Sequence, residues 1–318
     1  MAQRADDIID RRRLRRTVFF WRAVAFVVAA IAVVGASAWI YGDRLANTAA
    51  DHIAKIRIEG TITEDEELIE RLEKARKSSA VKGVILSVDS PGGTTAGGEA
   101  IFDAVRALAA EKPVVAQVGT LAASAGYMIA CASDHIVARK SSIVGSIGVL
   151  VQMPNFTGLM EKVGISLDEV KSSPLKAEPS PFNVTTEEER AMIRSMIMDS
   201  YDWFVGIVDD RRPLDRAQVL VLANGSVFTG RQALANKLVD SLGGQDEAVN
   251  WLVGKGLSKD LAVVEWKPKD TSSVFSLGSS AAKVIGQAIG FPEAGASILR
   301  ETGADRLFLD GLVSVWHP

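Results

Sequence analysis

The longest apolar stretch of the chain lies near its beginning. Residues 23–40 read AVAFVVAAIAVVGASAWI, eighteen positions without a charge. Extended back to Val18, this stretch is long enough to cross a bilayer core of about 30 Å. Because it has no polar face, it is not typical of a buried core helix, and we predict a transmembrane anchor over residues 18–42. A cleaved signal peptide is the alternative, since Ala36-Ser37-Ala38 resembles a small-residue cleavage site.

Charge is distributed unevenly around this stretch. Residues 1–44 hold eight arginines and four aspartates, a net charge of +4, whereas the whole chain carries −3. Basic flanks stay on the cytoplasmic side of a membrane. The basic tail, residues 1–17, is therefore expected in the cytoplasm. The rest is expected outside it, as the periplasmic domain of a single-pass protein of the inner (plasma) membrane.

Beyond the anchor, apolar runs alternate with stretches whose apolar positions recur every three or four residues. Continuous apolar runs predict buried strands, and the helical spacing predicts helices. The predicted strands are 84–88, 114–118 and 136–138, after a first strand that begins near Ile53 and breaks at Gly60. The predicted helices are 64–77, 98–110, 125–132, 186–210 and 230–236. This alternation predicts an α/β fold with parallel strands and covering helices. Residues 171–181, with three prolines, are expected to form an irregular loop.

Composition excludes several classes of protein. A single cysteine, Cys131, excludes an internal disulfide framework and a cysteine-rich zinc site. An aromatic content of 6% and a slightly negative net charge argue against a nucleic-acid-binding module. Three histidines leave little material for a histidine-based metal centre. We therefore expect no metal, no cofactor and no nucleic-acid partner.

The first candidate for chemistry is Ser90-Pro91-Gly92-Gly93, which follows a predicted strand and precedes a helix. Glycines at such a place let a substrate approach the backbone closely, and their N–H groups can hold an anion. A plain strand-to-helix turn is the alternative. A phosphate-binding loop is not indicated, because no Gly-Lys-Ser/Thr follows.

The second candidate is Ser124, in the small-residue stretch 122–126 between a predicted strand and a predicted helix. Small neighbours permit a tight turn that exposes a hydroxyl, and a helix N-terminus favours a developing alkoxide. Ala122 stands where the Gly-x-Ser-x-Gly pattern of hydrolases has its first glycine. The alternative is that Ser124 simply caps the helix.

A serine nucleophile needs a base, and the chain offers few. His52 and His317 lie at the periphery of the body, and His135 follows Asp134 in what reads as a turn. Lys176 lies in an uncharged part of the 171–181 loop. A lysine acts as a base only when uncharged, which requires burial or a cationic neighbour. A solvated loop lysine is the ordinary alternative.

Taken in order, the anchor, VILSVDSPGG, VGTLAASAGYMIACASDHIVA, SSIVGSIGV and the lysine loop resemble the short form of the signal peptide peptidase A (protease IV) family. The resemblance covers about residues 50–255 and leaves 256–318 as a C-terminal extension of unclear role. It implies a ClpP/crotonase-like fold and a serine endopeptidase with a Ser–Lys dyad.

The resemblance also assigns residues. It implies Ser124 as nucleophile and Lys176 as general base. The oxyanion-hole donors it implies are Gly92 or Gly93, and Ser146 takes a supporting place at the edge of the site. Two positions depart from the family pattern: Ala125 stands where a glycine is usual, and Ala177 where an aspartate often follows the lysine.

The expected partners follow from the same resemblance. They are peptide substrates, in particular signal peptides left in the membrane after their release, and further copies of the chain. Serine and lysine are expected to come from neighbouring subunits of a homo-oligomeric ring. Two alternatives stay open: a crotonase-like acyl-CoA enzyme, and a membrane-anchored scaffold that keeps the fold without the chemistry.

Overall fold

The computed structural model describes residues 50–268 continuously, together with residues 313–315 and a few helical positions between residues 20 and 31. The chain divides into two compact units, Met1–His52 and Ile53–Pro318. The described positions of the first unit are helical. The anchor predicted over residues 18–42 lies mostly outside the described residues. Among those described, no helix combines the length and the apolar character needed to cross a bilayer.

The second unit alternates strands and helices along the chain. The strands are β1 His52–Ile62, β2 Val81–Thr94, β3 Val114–Ala123, β4 His135–Ala138, β5 Ile143–Gly145, β6 Val227–Thr229, β7 Ser241–Leu242, β8 Ala262–Glu265 and β9 Val313–Val315. The helices are α1 Glu66–Lys77, α2 Thr95–Ala109, α3 Ala125–Cys131, α4 Thr157–Val163, α5 Glu187–Arg211, α6 Arg216–Leu222, α7 Gly230–Ala235 and α8 Gln245–Gly254.

Strand β3 is the centre of the sheet, whose strand order is β6-β5-β3-β2-β1-β8. It runs parallel to β2 on one side and to two successive short strands on the other. Strand β4 pairs with the first half of β3, and β5 pairs with its last three residues, where Ala123 lies opposite Gly145. The predicted parallel α/β sheet is therefore confirmed. Because β3 and β5 are parallel, the residues that follow them, Ser124 and Ser146, lie at the same edge of the sheet.

Both faces of the sheet are covered, which explains why the strands are apolar at consecutive positions. In β2, Val84 and Leu86 belong to the larger apolar cluster, which includes residues of α1, α2, α3 and α5. Ile85, between them, points to the opposite face and packs with Val115 and with Leu252 of α8. Alternate side chains of one strand thus fill two separate cores.

Two expectations about strand ends were wrong. Strands β2 and β3 run six and five residues beyond the predicted ends at 88 and 118, because backbone pairing continues through residues that are mostly small or polar. Gly60 does not break β1. It lies within the strand at a φ of +75°, a conformation open to glycine, and the strand continues to Ile62.

Candidate active site

Ser124 joins the end of β3 to the start of α3. Its φ is +56°, in the left-handed region that non-glycine residues rarely adopt. The backbone is held there by hydrogen bonds on both sides: Ser124 N–H donates to Gly145 O at 2.8 Å, and Ser124 O accepts from Met128 N–H at 2.9 Å. An unfavourable backbone conformation fixed by its surroundings is a frequent feature of functional sites.

The Ser124 hydroxyl does not cap the helix. Ser124 occupies the position before the first turn of α3, yet its side chain accepts no hydrogen bond from the N–H groups of that turn. The helix-cap alternative is therefore wrong. The residue is 1% exposed, so the hydroxyl is held within the fold and not on its surface.

Ala125, one of the two departures from the family pattern, is accommodated by a neighbouring helix. A β-carbon added to Gly98 of α2 would lie 3.1 Å from the β-carbon of Ala125. The missing side chain of Gly98 thus provides the room that Ala125 uses.

The glycines of Ser90–Gly93 form the other wall of the site, at the end of β2. Gly92 has a φ of +106°, and a β-carbon on Gly93 would lie 1.8 Å from the carbonyl oxygen of Ile62. Neither position therefore tolerates a side chain. Gly92 N–H donates to Ser90 Oγ at 3.1 Å, so this N–H group is bonded inside the turn.

The same turn pairs with another strand through its backbone. Residues Gly92, Gly93 and Thr94 lie antiparallel to β9, opposite Val315, Ser314 and Val313 respectively. This edge of β2 therefore accepts an extended peptide segment as an additional strand.

Ser146 follows the residue that holds Ser124. Its φ is +53°, it is 8% exposed, and its N–H donates to Ser226 O at 2.7 Å. Ser146 also borders a cavity of about 590 Å³. The apolar residues lining this cavity include Ile147, Val149, Leu150, Ile197 and Met198. A mostly apolar recess thus opens next to the residues that position the serine.

Ser124, Gly92, Gly93 and Ser146 are called the serine half of the site below, and residues 171–181 the lysine loop. The lysine loop has no helix or strand, as predicted. Lys176 is exposed on it, and its backbone N–H donates to Ser173 O at 3.1 Å. Lys176 is thus exposed to solvent, whereas Ser124 is buried.

The ion pairs of the lysine loop are made by Lys171. Its ammonium contacts the carboxylates of Glu169 and Glu178. Hydrogen bonds from Lys171 and then from Asn183 lower the pKa of Glu178. The Lys171–Glu178 pair is therefore intact at neutral pH and is lost only as the pH falls through that lowered pKa. The carboxylate nearest to Lys176 in sequence is thus already paired.

Comparison with known proteins identifies the family. The family model described as Peptidase family S49 matches residues 106–256, and the one described as Clp protease matches residues 47–146. A protein of Methanocaldococcus jannaschii that is named as a protease is 36% identical over 222 residues, which are 70% of this chain and 71% of its own length.

The chain belongs to peptidase family S49. Two further relatives are also 36% identical. One, from Enterococcus faecium, is named as a signal peptide peptidase SppA and is matched over 67% of this chain and 62% of its own length. The other, Protease 4 of Haemophilus influenzae, is matched over 74% of this chain and 40% of its own. The chain therefore spans less than two thirds of these two relatives. The S49 membership and the names of the relatives support a protease of the serine type on a mixed α/β, ClpP-like fold.

In this S49 chain, His135 lies at the wrong end of the sheet to serve Ser124. It begins β4 opposite Val115, whereas Ser124 follows Ala123 at the other end of β3. Along β3, eight residues separate Val115 from Ala123, a distance of about 26 Å. His135 hydrogen-bonds Ser241 Oγ at 2.9 Å and stacks on Trp251, and burial lowers its pKa. The interpretation of His135 as a structural residue fits these contacts, and it is no substitute base within the same chain.

The S49 family pattern did not single out Ser90 or Asp89, although both order the serine half. Asp89 Oδ1 accepts the N–H of Leu121 at 3.0 Å and so ties β2 to β3 just before the serine turn. The sequence did carry a signal for both residues: they are two polar residues directly after an apolar strand, and polar groups buried at such a place need hydrogen-bond partners.

Within the part of the chain that the structure describes, no group of three acidic, histidine or cysteine side chains is placed to hold a metal ion.

Proposed function

We propose that this chain is a membrane-anchored serine endopeptidase with a Ser124–Lys176 dyad. The observation that carries the proposal is the conformation of Ser124, whose left-handed backbone is fixed at the end of β3 while its hydroxyl is not used to cap α3. The glycine turn beside it supplies backbone N–H groups for an oxyanion. Because Gly92 N–H is bonded to Ser90, we assign the oxyanion donor to Gly93.

The proposed reaction has two steps. Lys176, uncharged, takes the proton of Ser124 Oγ as that oxygen attacks the peptide carbonyl, and the Gly93 N–H stabilises the negative oxygen. The C–N bond then breaks, Lys176 returns the proton to the leaving amine, and an acyl ester remains on Ser124. In the second step Lys176 activates a water molecule in the same way, and hydrolysis of the ester releases the acid and regenerates the serine.

The lysine is proposed to come from a neighbouring subunit of a ring. Lys176 is exposed, and the segment around the lysine loop carries an unusual number of exposed apolar side chains. These are Leu159, Val163, Ile165, Leu167, Val170, Phe182 and Val184. A second copy of the chain that covered them would remove apolar surface from water and would bring the lysine loop of one subunit against the serine half of the next. Burial in that contact would favour the uncharged lysine.

The proposed substrates are extended apolar peptides, such as signal peptides left in the bilayer. The β2 edge at Gly92–Thr94 accepts an antiparallel strand, and the cavity beside Ser146 is lined mostly by apolar residues. An anchor over residues 18–42, with the tail 1–17 in the cytoplasm, would place the peptidase domain on the periplasmic face of the inner membrane.

Labelling tests the nucleophile. A peptidyl phosphonate should modify the chain at Ser124, located by mass spectrometry, and the folded Ser124→Ala variant should be neither labelled nor active on a fluorogenic apolar peptide. Labelling at another residue, or near-normal turnover by Ser124→Ala, rejects the mechanism. Turnover of a CoA ester without turnover of the peptide would instead favour a crotonase-like acyl-CoA enzyme.

Mixing tests the shared site. Ser124→Ala and Lys176→Ala subunits should each be inactive, and equimolar exchange should restore about a quarter of the sites, since half the serines and half the lysines are intact and meet at random. Exchange proven by mass spectrometry without any recovery would place both groups in one chain.

A reporter tests the orientation. Fused after Pro318, a reporter that is active only in the periplasm should be active, because the basic tail retains the N-terminus in the cytoplasm. Activity of a cytoplasmic reporter at the same point would reject the orientation and the signal-peptide substrate together.

A further inference from the structure

Ser90 opens the glycine turn, and the reaction steps above do not use it. It is completely buried, with 0% of its surface exposed. Its hydroxyl donates to Gly60 O at 2.6 Å and accepts the N–H of Gly92 at 3.1 Å. One hydroxyl therefore joins β1 to the turn and satisfies backbone groups of both.

Ser90 also touches the helix that follows the nucleophile. A β-carbon on Gly126 would lie 2.9 Å from the carbonyl oxygen of Ser90 and 3.2 Å from its β-carbon. The two backbones are therefore in direct contact, two residues after Ser124. Ser90 lies between the glycine turn and the first turn of α3, so its position sets how far Gly93 stands from Ser124.

We propose that Ser90 is a positioning residue for the peptidase reaction, an inference that rests on the proposed function. By holding the Gly92 N–H inside the fold, its hydroxyl leaves Gly93 as the donor to the oxyanion and fixes the turn relative to Ser124. Oxyanion donors act only within hydrogen-bond distance of the charge that develops. A misplacement of about 1 Å in an active site costs about a hundredfold in rate.

Ser142 provides a matched control. It is 2% exposed, its hydroxyl donates to Gly119 O at 2.6 Å, and it accepts the N–H of Arg139 at 3.0 Å. Ser142→Ala therefore removes the same kind of buried bridge, away from the glycine turn. The two alanine variants should lose similar thermal stability. Only Ser90→Ala should lose kcat, by about 10- to 100-fold with KM within about twofold, whereas Ser142→Ala should keep kcat within about threefold.

The possible results distinguish the positioning role of Ser90 from the proposed peptidase function. Ser90→Cys, close in volume and a weak hydrogen-bond donor, replaces Ser90→Ala if the latter does not fold, with the same loss of kcat expected. A folded Ser90 variant with unchanged kcat, a loss expressed in KM alone, or equal kcat losses in the two alanine variants overturns the positioning role. Each of these results leaves phosphonate labelling of Ser124 in place. An unmodified chain that is neither labelled nor active rejects the proposed function itself.

Discussion

The serine half and the lysine loop differ in what holds them. Ser124 and the glycine turn lie at the ends of adjacent parallel strands and are fixed by backbone hydrogen bonds and by close contacts that exclude side chains. The lysine loop has no regular structure, and Lys176 is exposed on it. The proposed nucleophile and oxyanion donor are therefore held by fixed backbone contacts within one chain, whereas the proposed base lies on an exposed loop.

The largest expected effect is at the lysine. Lys176→Arg should lower kcat/KM by about a thousandfold at every accessible pH, because a guanidinium stays protonated and cannot act as a base. The unfolding temperature of the unassembled subunit should not change, since the side chain is exposed in the single chain. Lys162→Arg, an exposed lysine of α4, is the control and should keep wild-type kcat/KM. Near-wild-type activity of Lys176→Arg would show that another group is the base.

The next effect tests how closely the glycine turn of the serine half is packed. Gly93→Ala should destabilise the fold by about 3 kcal/mol, because its β-carbon would meet the Ile62 carbonyl, which belongs to a paired strand. Gly158→Ala, in α4, has no atom within 4 Å of the new β-carbon and should change stability by less than about 1 kcal/mol. Urea unfolding measures both, and equal values would contradict the rigid serine half.

A smaller effect concerns the charge pair inside the lysine loop. Lys171→Met removes the ammonium that pairs with Glu169 and Glu178, and Glu178 lies two residues from Lys176. A nearby carboxylate favours the protonated ammonium, so the acid limb of kcat/KM should move to higher pH by about one unit.

The controls for this pair are two. Lys171→Arg keeps the pairing and should keep the profile. Adding Glu178→Gln to Lys171→Met removes the carboxylate and should return the limb toward its original position. A double variant as impaired as Lys171→Met would mean that the pair acts only on the shape of the loop.

The smallest effect is at Ala177, whose φ is +62°. Glycine adopts this conformation without strain, so Ala177→Gly should stabilise the loop slightly, by about 0.5 kcal/mol, with kcat/KM nearly unchanged. Hydrogen exchange of the loop amides provides the measurement. Faster exchange in the variant would show that the backbone conformation of Ala177 does not destabilise the loop.

Much of the fold could be predicted because its signals are local. Runs such as 84–88 and 114–118 are apolar on both faces of a covered sheet, and the helix predicted over 186–210 matches α5, which begins after the cap at Thr186. The ends of β2 and β3 could not be found in this way, since most of their last residues are small or polar and are held by pairing with other strands. The division of one edge of β3 between β4 and β5 depends on long-range register, which no single segment encodes.

The candidate site could likewise be predicted in part, where its signals are local. The turns that carry Ser124 and Gly93 could be recognised from small residues between a strand and a helix. The bond from the Ser90 hydroxyl to Gly60 O and the left-handed φ of Ser124 could not, because they depend on β1 and β5, distant in sequence. The meeting of Ser124 with Lys176 stays a prediction, since within one chain the lysine is exposed.

The pairing of β9 with the glycine turn has a consequence for how much substrate the enzyme would need. A segment of the same chain is present at an effective concentration of up to about the millimolar range, however dilute the protein. On the proposed function, a peptide that binds along Gly92–Thr94 must displace this resident strand. Rare peptides would then be turned over slowly, and a peptide crowded into the plane of a membrane would compete best. Strand β9 would thus set the local peptide concentration above which a substrate is bound and cleaved.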